Sequence, residues 1–527
     1  MVDVPPEIWH NILRFLPSSL VQRLYGVSRV FFDVAMNEKY RDVSLDHGDL
    51  ECLWRKIGNL LDPHIARRVK SFRIAPHLIW EAQQNWTPPS QAATESHNLD
   101  SVDVCTPARQ RRSQMAEALV KNFKHLTNTS SVHLNLTLFE DFPVLYLNSL
   151  WSTVSPVLQN LTILATTPQL RTLFPLPVAH FPRLSSLNIT INRRADSDPL
   201  NPENEDELRH IQLAIASFAN SVRHNLRSLS IQGPPGRDLS PFYEALEKFS
   251  NLSSVEFDIT AELSTLPGEE PPIQSSLFVL RHYETIEHIS VFASNLLALK
   301  RQALDTKYWY PRLKSLKLSS NILTACYEPT LRFMRIHTST LESLELVGPI
   351  SPLELDDLIV ALSGDSHNPI LSKFSISIYR LDLNLILKFA KRLPALKILQ
   401  LRVMRISATG SSSAFTPGQY FPLLLPPHPG SHEFVTEVIG CRELKTWQLR
   451  DITISRPSCC ASLTLWNLMC LFVECIPTIS SFSETWTMDI PDPPNHKPLH
   501  WETPCCAEGG CFFGTDGLDS CPLSTSA

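Results

Sequence analysis

The sequence predicts an α/β chain: a short all-helical N-terminal module, followed by an irregular solenoid of strand–helix repeats that curves as a horseshoe. Three observations predict it. Apolar residues at helical spacing, punctuated by proline, fill residues 1–45. A six-residue strand-like phrase recurs from about residue 65. Many copies of that phrase stand 25–30 residues apart, with helix-like segments between them.

In the N-terminal module, Pro5 and Pro6 open the first helix, where a missing amide donor costs nothing. Glu7 in the first turn suits the helix dipole. Ile8, Ile12, Phe15 and Leu16 follow helical spacing, and Trp9 and Leu13 widen the apolar face. Pro17 ends this helix. Ser18 or Ser19 can cap a second, whose Leu20, Leu24 and Val27 stand at i, i+4 and i+7. A third carries Phe31, Val34 and Ala35. So much apolar width on so few residues implies contact on more than one side. The blander account is a helical cap sealing the first repeat, which solenoids need.

The recurring phrase runs aliphatic-x-Ser-apolar-x-apolar. It reads VKSFRI from Val69, LSSLNI from Leu184, LRSLSI from Leu226, LSSVEF from Leu252, LKSLKL from Leu313 and LESLEL from Leu341. Looser copies are IEHISV from Ile286, LSKFSI from Leu371, LKILQL from Leu396 and LKTWQL from Leu444. Leu313, Leu341, Leu371 and Leu396 are separated by 28, 30 and 25 residues, in or just beyond the range of known short solenoid repeats. Proline often precedes the phrase, as at Pro182, Pro311 and Pro394, where it stops a helix and turns the chain toward a strand. Leu208 to Val222 and Leu381 to Leu393 read as the intervening helices. An ordinary parallel sheet covered on both faces would show continuous apolar strands. These alternate apolar and polar, which favours a sheet with one solvated, concave face. Arg73, Asn135, Asn188, Glu256, Lys317, Glu345, Gln400 and Gln448 should lie on that face and are the candidates for holding a protein target. Most residues of such a face are simply solvated.

The boundaries follow: a helical module over 1–45, the solenoid over 46–490, and a tail over 491–527. The solenoid carries insertions near 86–112 (polar, proline-punctuated), 195–207 (acidic) and 408–432 (Ser/Pro/Gly-rich). The Cys-, Pro- and Gly-containing tail has little periodicity and is expected to be disordered.

Composition excludes several classes. With 47 Lys and Arg against 53 Asp and Glu, neither a nucleic-acid nor a membrane-surface footprint is expected. The longest apolar run, Leu463 to Ile476, is broken by Asn467 and Glu474 and is too short to span a membrane. The N-terminus does not read as a secretory signal. A cytoplasmic or nuclear setting with free thiols is therefore expected for the 12 cysteines. The spacings Cys470/Cys475 and Cys506/Cys511, with Cys505 and Cys521 nearby, are too irregular for a zinc site. No phosphate-binding loop, zinc-protease helix, nucleophile elbow or dinucleotide fingerprint occurs. No catalytic residue, metal or cofactor is assigned, and the chain is expected not to be an enzyme. The ARQRR cluster from Ala108 to Arg112 reads as solvated linker.

Two family resemblances add to this. The stretch VPPEIWHNILRFLPSSLVQRLYGVSRVFFDVA, from Val4, resembles an F-box. Val4, Pro5, Glu7, Ile8, Ile12, Leu13, Phe15, Leu16, Pro17, Leu20, Leu24, Val27, Ser28, Arg29 and Phe31 or Phe32 fill that family's pattern. Val4 replaces a usual Leu, a Phe replaces a usual Trp, and no acid follows Pro17. The resemblance implies docking to a Skp-type adaptor, and through it to a cullin-RING ubiquitin ligase. Val4, Pro5, Ile8, Ile12, Leu13, Leu16, Pro17, Leu20, Leu24, Val27 and Phe31 would form the adaptor-binding set. The repeats resemble leucine-rich repeats. Two copies, LSSLNITIN and LKSLKLSSN, end at Asn192 and Asn321, where that family places an Asn that hydrogen-bonds backbone of the neighbouring turn. Together the two resemblances imply a substrate-receptor subunit of an SCF-type ubiquitin ligase. The alternative is a leucine-rich-repeat interaction scaffold without ligase recruitment.

Overall fold

A computed structural model describes residues 5–45 (except 17, 25 and 27–28), 50–74, 121–137, 144–174, 181–192, 203–258 (except 235–236), 274–292, 310–363, 370–406, 441–455 and 475–483, with 118, 438 and 472 singly. The chain divides into two compact units, Met1–Ile286 and Glu287–Ala527.

The first unit opens with three helices: α1 (Pro6–Arg14), α2 (Ser18–Arg23) and α3 (Arg29–Tyr40). It continues with β1 (Asp42–Leu45), α4 (Leu50–Leu60), α5 (Pro63–Ala66), β2 (Ser71–Ile74), β3 (Ser131–Asn135), α6 (Val144–Val154), β4 (Asn160–Thr166) and α7 (Thr167–Leu173). Then come β5 (Ser186–Asn192), α8 (Glu203–Ser221), β6 (Ser228–Gln232), α9 (Ser240–Ala245), β7 (Ser254–Asp258) and α10 (Gln274–Leu280). Strands β1 to β7 pair in chain order, every pair parallel.

The second unit contains β8 (His288–Phe292), β9 (Ser315–Ser319), α11 (Ser320–Ala325), α12 (Tyr327–His337), β10 (Ser343–Ile350), α13 (Pro352–Ser363) and β11 (Lys373–Leu381). It goes on through α14 (Leu383–Arg392), β12 (Ile398–Ile406), a 3-10 turn (Arg442–Thr446), β13 (Asp451–Ser455) and β14 (Ser481–Ser483). Strands β8 to β14 also pair in chain order and in parallel. Each unit is thus an open parallel ladder with helices between its rungs.

Alternation makes these strands. Along β5, Leu187, Ile189 and Ile191 are buried while Ser186, Asn188, Thr190 and Asn192 are only partly covered. The buried set joins Ile211, Ile215 and Ala219 of α8 in the core, with Phe218 edge-on to Phe174 at 5.7 Å and to Phe181 at 5.5 Å. Helix starts are locally encoded. Asp382 accepts from the Leu385 amide at 3.0 Å before α14. Ser351 and Glu354 form a reciprocal capping pair ahead of α13.

The entries to β2–β7 and to β9–β14 are each fixed by a shared carbonyl. The oxygen of Ser185 accepts both the Arg227 and Ser228 amides, and that of Arg227 accepts those of Ser253 and Ser254. In the second unit, Lys314 accepts from Glu342 and Ser343 in the same way. This doubling locks the register where a parallel ladder begins. The recurring serine stands at this position: Ser71, Ser131, Ser186, Ser228 and Ser254 are the first residues of β2, β3, β5, β6 and β7.

The structure corrects several expectations. The first strand, Asp42–Leu45, lies inside the span assigned to the helical module and pairs with β2, so the boundary at residue 45 falls within the ladder. Part of the acidic insertion over 195–207 is helix: α8 begins at Glu203, and its early acids suit the helix N-terminus. The phrase from Leu444 is not a strand. It forms the 3-10 turn, and the strand follows at Asp451. Asn321 falls in helix α11 rather than in a turn. Val4, Pro17, Val27, residues 86–112 and 408–432, the tail over 491–527, and Cys470, Cys505, Cys506, Cys511 and Cys521 lie outside the described residues. Among the described residues, no helix is long and apolar enough to cross a membrane.

Candidate functional site

The N-terminal helices are apolar on two sides. On one, Leu13, Val21, Phe31 and Ala35 form a buried cluster against which Trp9, Leu16, Leu24, Val30 and Val34 pack. Trp9 meets Phe31 edge-on, ring centroids 5.3 Å apart. On the other, Ile8 and Ile12 of α1 and Phe15, its C-terminal cap, stand at i, i+4 and i+7 and are 49%, 39% and 87% exposed. Leu20 of α2 is also open, as is Phe32 of α3. Pro5, the residue before α1, is exposed.

The expected adaptor set therefore separates into two groups. Ile8, Ile12 and Leu20 are presented outward. Leu13 and Phe31 are inside, and Leu16 and Leu24 are half inside, so these four hold the outer residues in place from behind. Phe15, the most exposed of the group, was not in the expected set. Its place seven residues after Ile8 was the available signal.

Helix α3 is fastened to the first repeat. Arg68 donates from Nη1 to the Asp33 carbonyl at 3.0 Å and to Asn37 Oδ1 at 2.6 Å, and from Nη2 to Asp33 Oδ1 at 2.9 Å. Lys56 Nζ of α4 donates to the Ser44 carbonyl at 2.8 Å. The ladder thus engages the module through α3, while Ile8 and Ile12 of α1 and the capping Phe15 stay open.

The polar face of each sheet is defined by register. In the first unit one row runs Ser44, Arg73, His133, Thr162, Asn188, Ser230 and Glu256 across β1 to β7. Asn135 lies two residues beyond this row on the same face, its Oδ1 accepting from Thr137 Oγ1 at 2.8 Å. Gln232 Nε2 donates to Glu256 Oε1 at 2.6 Å. In the second unit the equivalent row is Ser290, Lys317, Glu345, Ser375, Gln400, Thr453 and Ser483. Lys317 Nζ pairs with Glu345 Oε1 at 2.9 Å and lies 5.6 Å from the centre of the Phe292 ring. Gln448 is not in this row. It precedes β13, and Thr453 occupies the place expected for it.

Titration effects fall elsewhere. The hydrogen bond from Lys314, just before β9, lowers the Glu287 pKa and raises that of Lys314. Burial, with the bond to Asp357, raises that of Tyr327. Burial lowers those of His282 and His337. Among the described residues, no three His, Cys, Asp or Glu side chains gather as a metal site. Cys475 is buried, its Sγ 3.4 Å from the Val438 carbonyl.

A scan against protein-family models finds no match, and a search of curated proteins finds no significant one.

Proposed function

We propose that this chain is a substrate-receptor subunit of a Skp–cullin–F-box-type ubiquitin ligase. In this reading residues 1–45 act as an F-box and the two ladders form a leucine-rich-repeat solenoid. The N-terminal helices dock a Skp-type adaptor and the polar sheet face holds a protein target. The chain itself does no chemistry. Holding target and ligase together raises ubiquitin transfer through effective concentration.

The observation that carries the reading is the open stripe of Ile8, Ile12 and Phe15 on a helix whose opposite side is already buried. A cap serving only the first repeat would have no need of a second apolar face, and exposed apolar groups in a row favour a partner. The rival reading, an interaction scaffold, draws on the Arg68 link, which makes α3 serve the first repeat.

The test is co-purification of full-length protein with a Skp-type adaptor, comparing wild type with Ile8→Asp/Phe15→Asp. Retention by wild type and loss in the variant is expected. Failure of wild type to retain the adaptor would leave the scaffold.

A further inference from the structure

The register of the second unit gathers unanswered positive charge on β11 and β12. The charged residues of these strands are Lys373, Arg380, Arg402 and Arg405, and neither strand carries an acid. Arg380 is paired with Asp382, just past the end of β11. Lys373 and Arg402 stand on the polar sheet face, with Ser375, Ser377 and Gln400 between them. The residues that alternate with them, Phe374, Ile376 and Ile378 on β11 and Leu399, Leu401 and Val403 on β12, are buried.

Among the described residues, the side chains of Lys373, Ser375, Ser377, Gln400 and Arg402 make no hydrogen bond or ion pair. Arg402 is exposed, and the polar atoms of the other four, though half-buried, are open to solvent. Lys397 and Arg450 extend the field to the rim. They stand side by side at the entries to β12 and β13, where the Lys397 carbonyl accepts the Arg450 amide at 2.8 Å, and both side chains are exposed. The acids nearest on the same face do not cancel this charge. Glu345, beside Ser375 in the register, is taken up by Lys317 at 2.9 Å. Asp451 lies two strands from Lys373, about 10 Å away and beyond one screening length at physiological salt.

We propose that this face binds an acidic, extended segment of a partner protein, laid along β11 and β12. Arg402 stands four residues past Ile398, the register partner of Lys373. The two cations are therefore about 14 Å apart, four residues along and one strand across. In an extended segment, side chains at i and i+4 share one side and span about 13 Å. One acid sits over Lys373 and the other, four residues on, over Arg402. Ser375, Ser377 and Gln400 donate to the segment between them, and Lys397 and Arg450 draw it in from the rim. A nucleic acid fits less well. It takes a basic groove that tracks its backbone, whereas Glu345 and Asp451 flank this face and the whole chain carries a net charge of -6. The inference deepens the reading of the repeats as the target-holding part, on which it rests, and is independent of ligase docking.

The test pans a phage-displayed library of random peptides on the immobilised full chain. Enriched peptides should carry Asp or Glu at i and i+4. An enriched peptide synthesised alone should bind wild type at least about tenfold more tightly than Lys373→Glu or Arg402→Glu, as expected where complementary charge sets selectivity. Arg332→Glu, the same charge change at an exposed and unpaired position of α12, should bind as wild type does. Melting curves confirm that the variants fold, and Lys373→Gln and Arg402→Gln give gentler changes should a reversal unfold the chain. No enrichment, enrichment without the paired acids, equal binding by wild type and the sheet variants, or an equal loss in Arg332→Glu would overturn the proposal. So would a single-stranded oligonucleotide that binds more tightly than the peptide at physiological salt. Adaptor binding without acid-paired peptides defeats this inference alone. Acid-paired peptides without adaptor binding leave it standing and defeat the docking reading.

Discussion

Acidifying the protein from pH 7.5 to 5.5 should loosen both units through His282 and His337. These side chains are 2% and 0% exposed. In each, Nδ1 donates to a carbonyl four residues back, Phe278 or Phe333, at 2.8 Å. Each Nε2 accepts an amide from the preceding repeat, Phe249 at 2.9 Å and Tyr310 at 3.0 Å. Only a neutral ring with its proton on Nδ1 can do both. Burial holds both pKa values below the ordinary 6.5, opposed by the carbonyl bond, and Lys248 and Arg281 push His282 down further. The unfolded chain therefore takes up the proton first. The stabilisation is complete above about pH 6.5 and declines as pH falls, by up to about 1.4 kcal/mol per unit and per histidine, until the folded pKa is reached. Down to pH 5.5, each unit should lose up to that amount from its histidine.

His337→Phe keeps a ring stacked near Phe333, now 4.3 Å away, but strands the buried Tyr310 amide. That should cost about 1–3 kcal/mol at pH 7.5. The assay is urea unfolding at both pH values for wild type, His282→Phe, His337→Phe and the double variant. Carboxylates act alike in all four, so the differences isolate the histidines. Each single variant should lose one share of the pH sensitivity and the double variant both. A double variant with the full wild-type pH difference would refute the reasoning.

Other perturbations have equally definite outcomes. Phe31→Ala should cost about 3–5 kcal/mol and expose α1 to protease, whereas Phe15→Ser, at an 87% exposed position, should change stability by no more than about 0.5 kcal/mol. Arg68→Met should speed amide exchange in α3 while leaving β5 to β7 unchanged, because it removes the three bonds to Asp33 and Asn37. Gly348→Ala should lower the melting temperature, since φ is +106° there and an added Cβ would collide with Ser320 Oγ. The loss should be about 1 kcal/mol or more.

Much of this was legible because the strand phrase reports burial directly. Leu187, Ile189 and the residue between them announce a half-buried strand whatever surrounds them. YRDVSL at β1 and LQNLTI at β4 carry Asp or Asn for serine, while TSSVHL at β3 keeps the serine but opens on Thr129 instead of an aliphatic residue. The shared carbonyl needs only an amide at that position, so serine was a preference rather than a requirement. The same tolerance hid β13. LKTWQL matches the apolar pattern, yet LRDITI, five residues on, carries the β-branched residues that suit a strand. The histidine ties repeat as Phe-x-x-x-His before Ile286 and Leu341, a signal spread over two repeats and invisible within either one. For the docking face, helical period alone separates Ile8, Ile12 and Phe15 from Trp9, Leu13 and Leu16. Which side would be covered depended on where α3 packs.

Hydrogen exchange of the full-length chain, alone and with a saturating Skp-type adaptor, tests the docking claim most directly. The account predicts slowed exchange over α1 and α2, around Ile8, Ile12, Phe15 and Leu20, with the strands of both ladders unchanged. Unchanged exchange over α1 and α2, or protection confined to the strands, would contradict it.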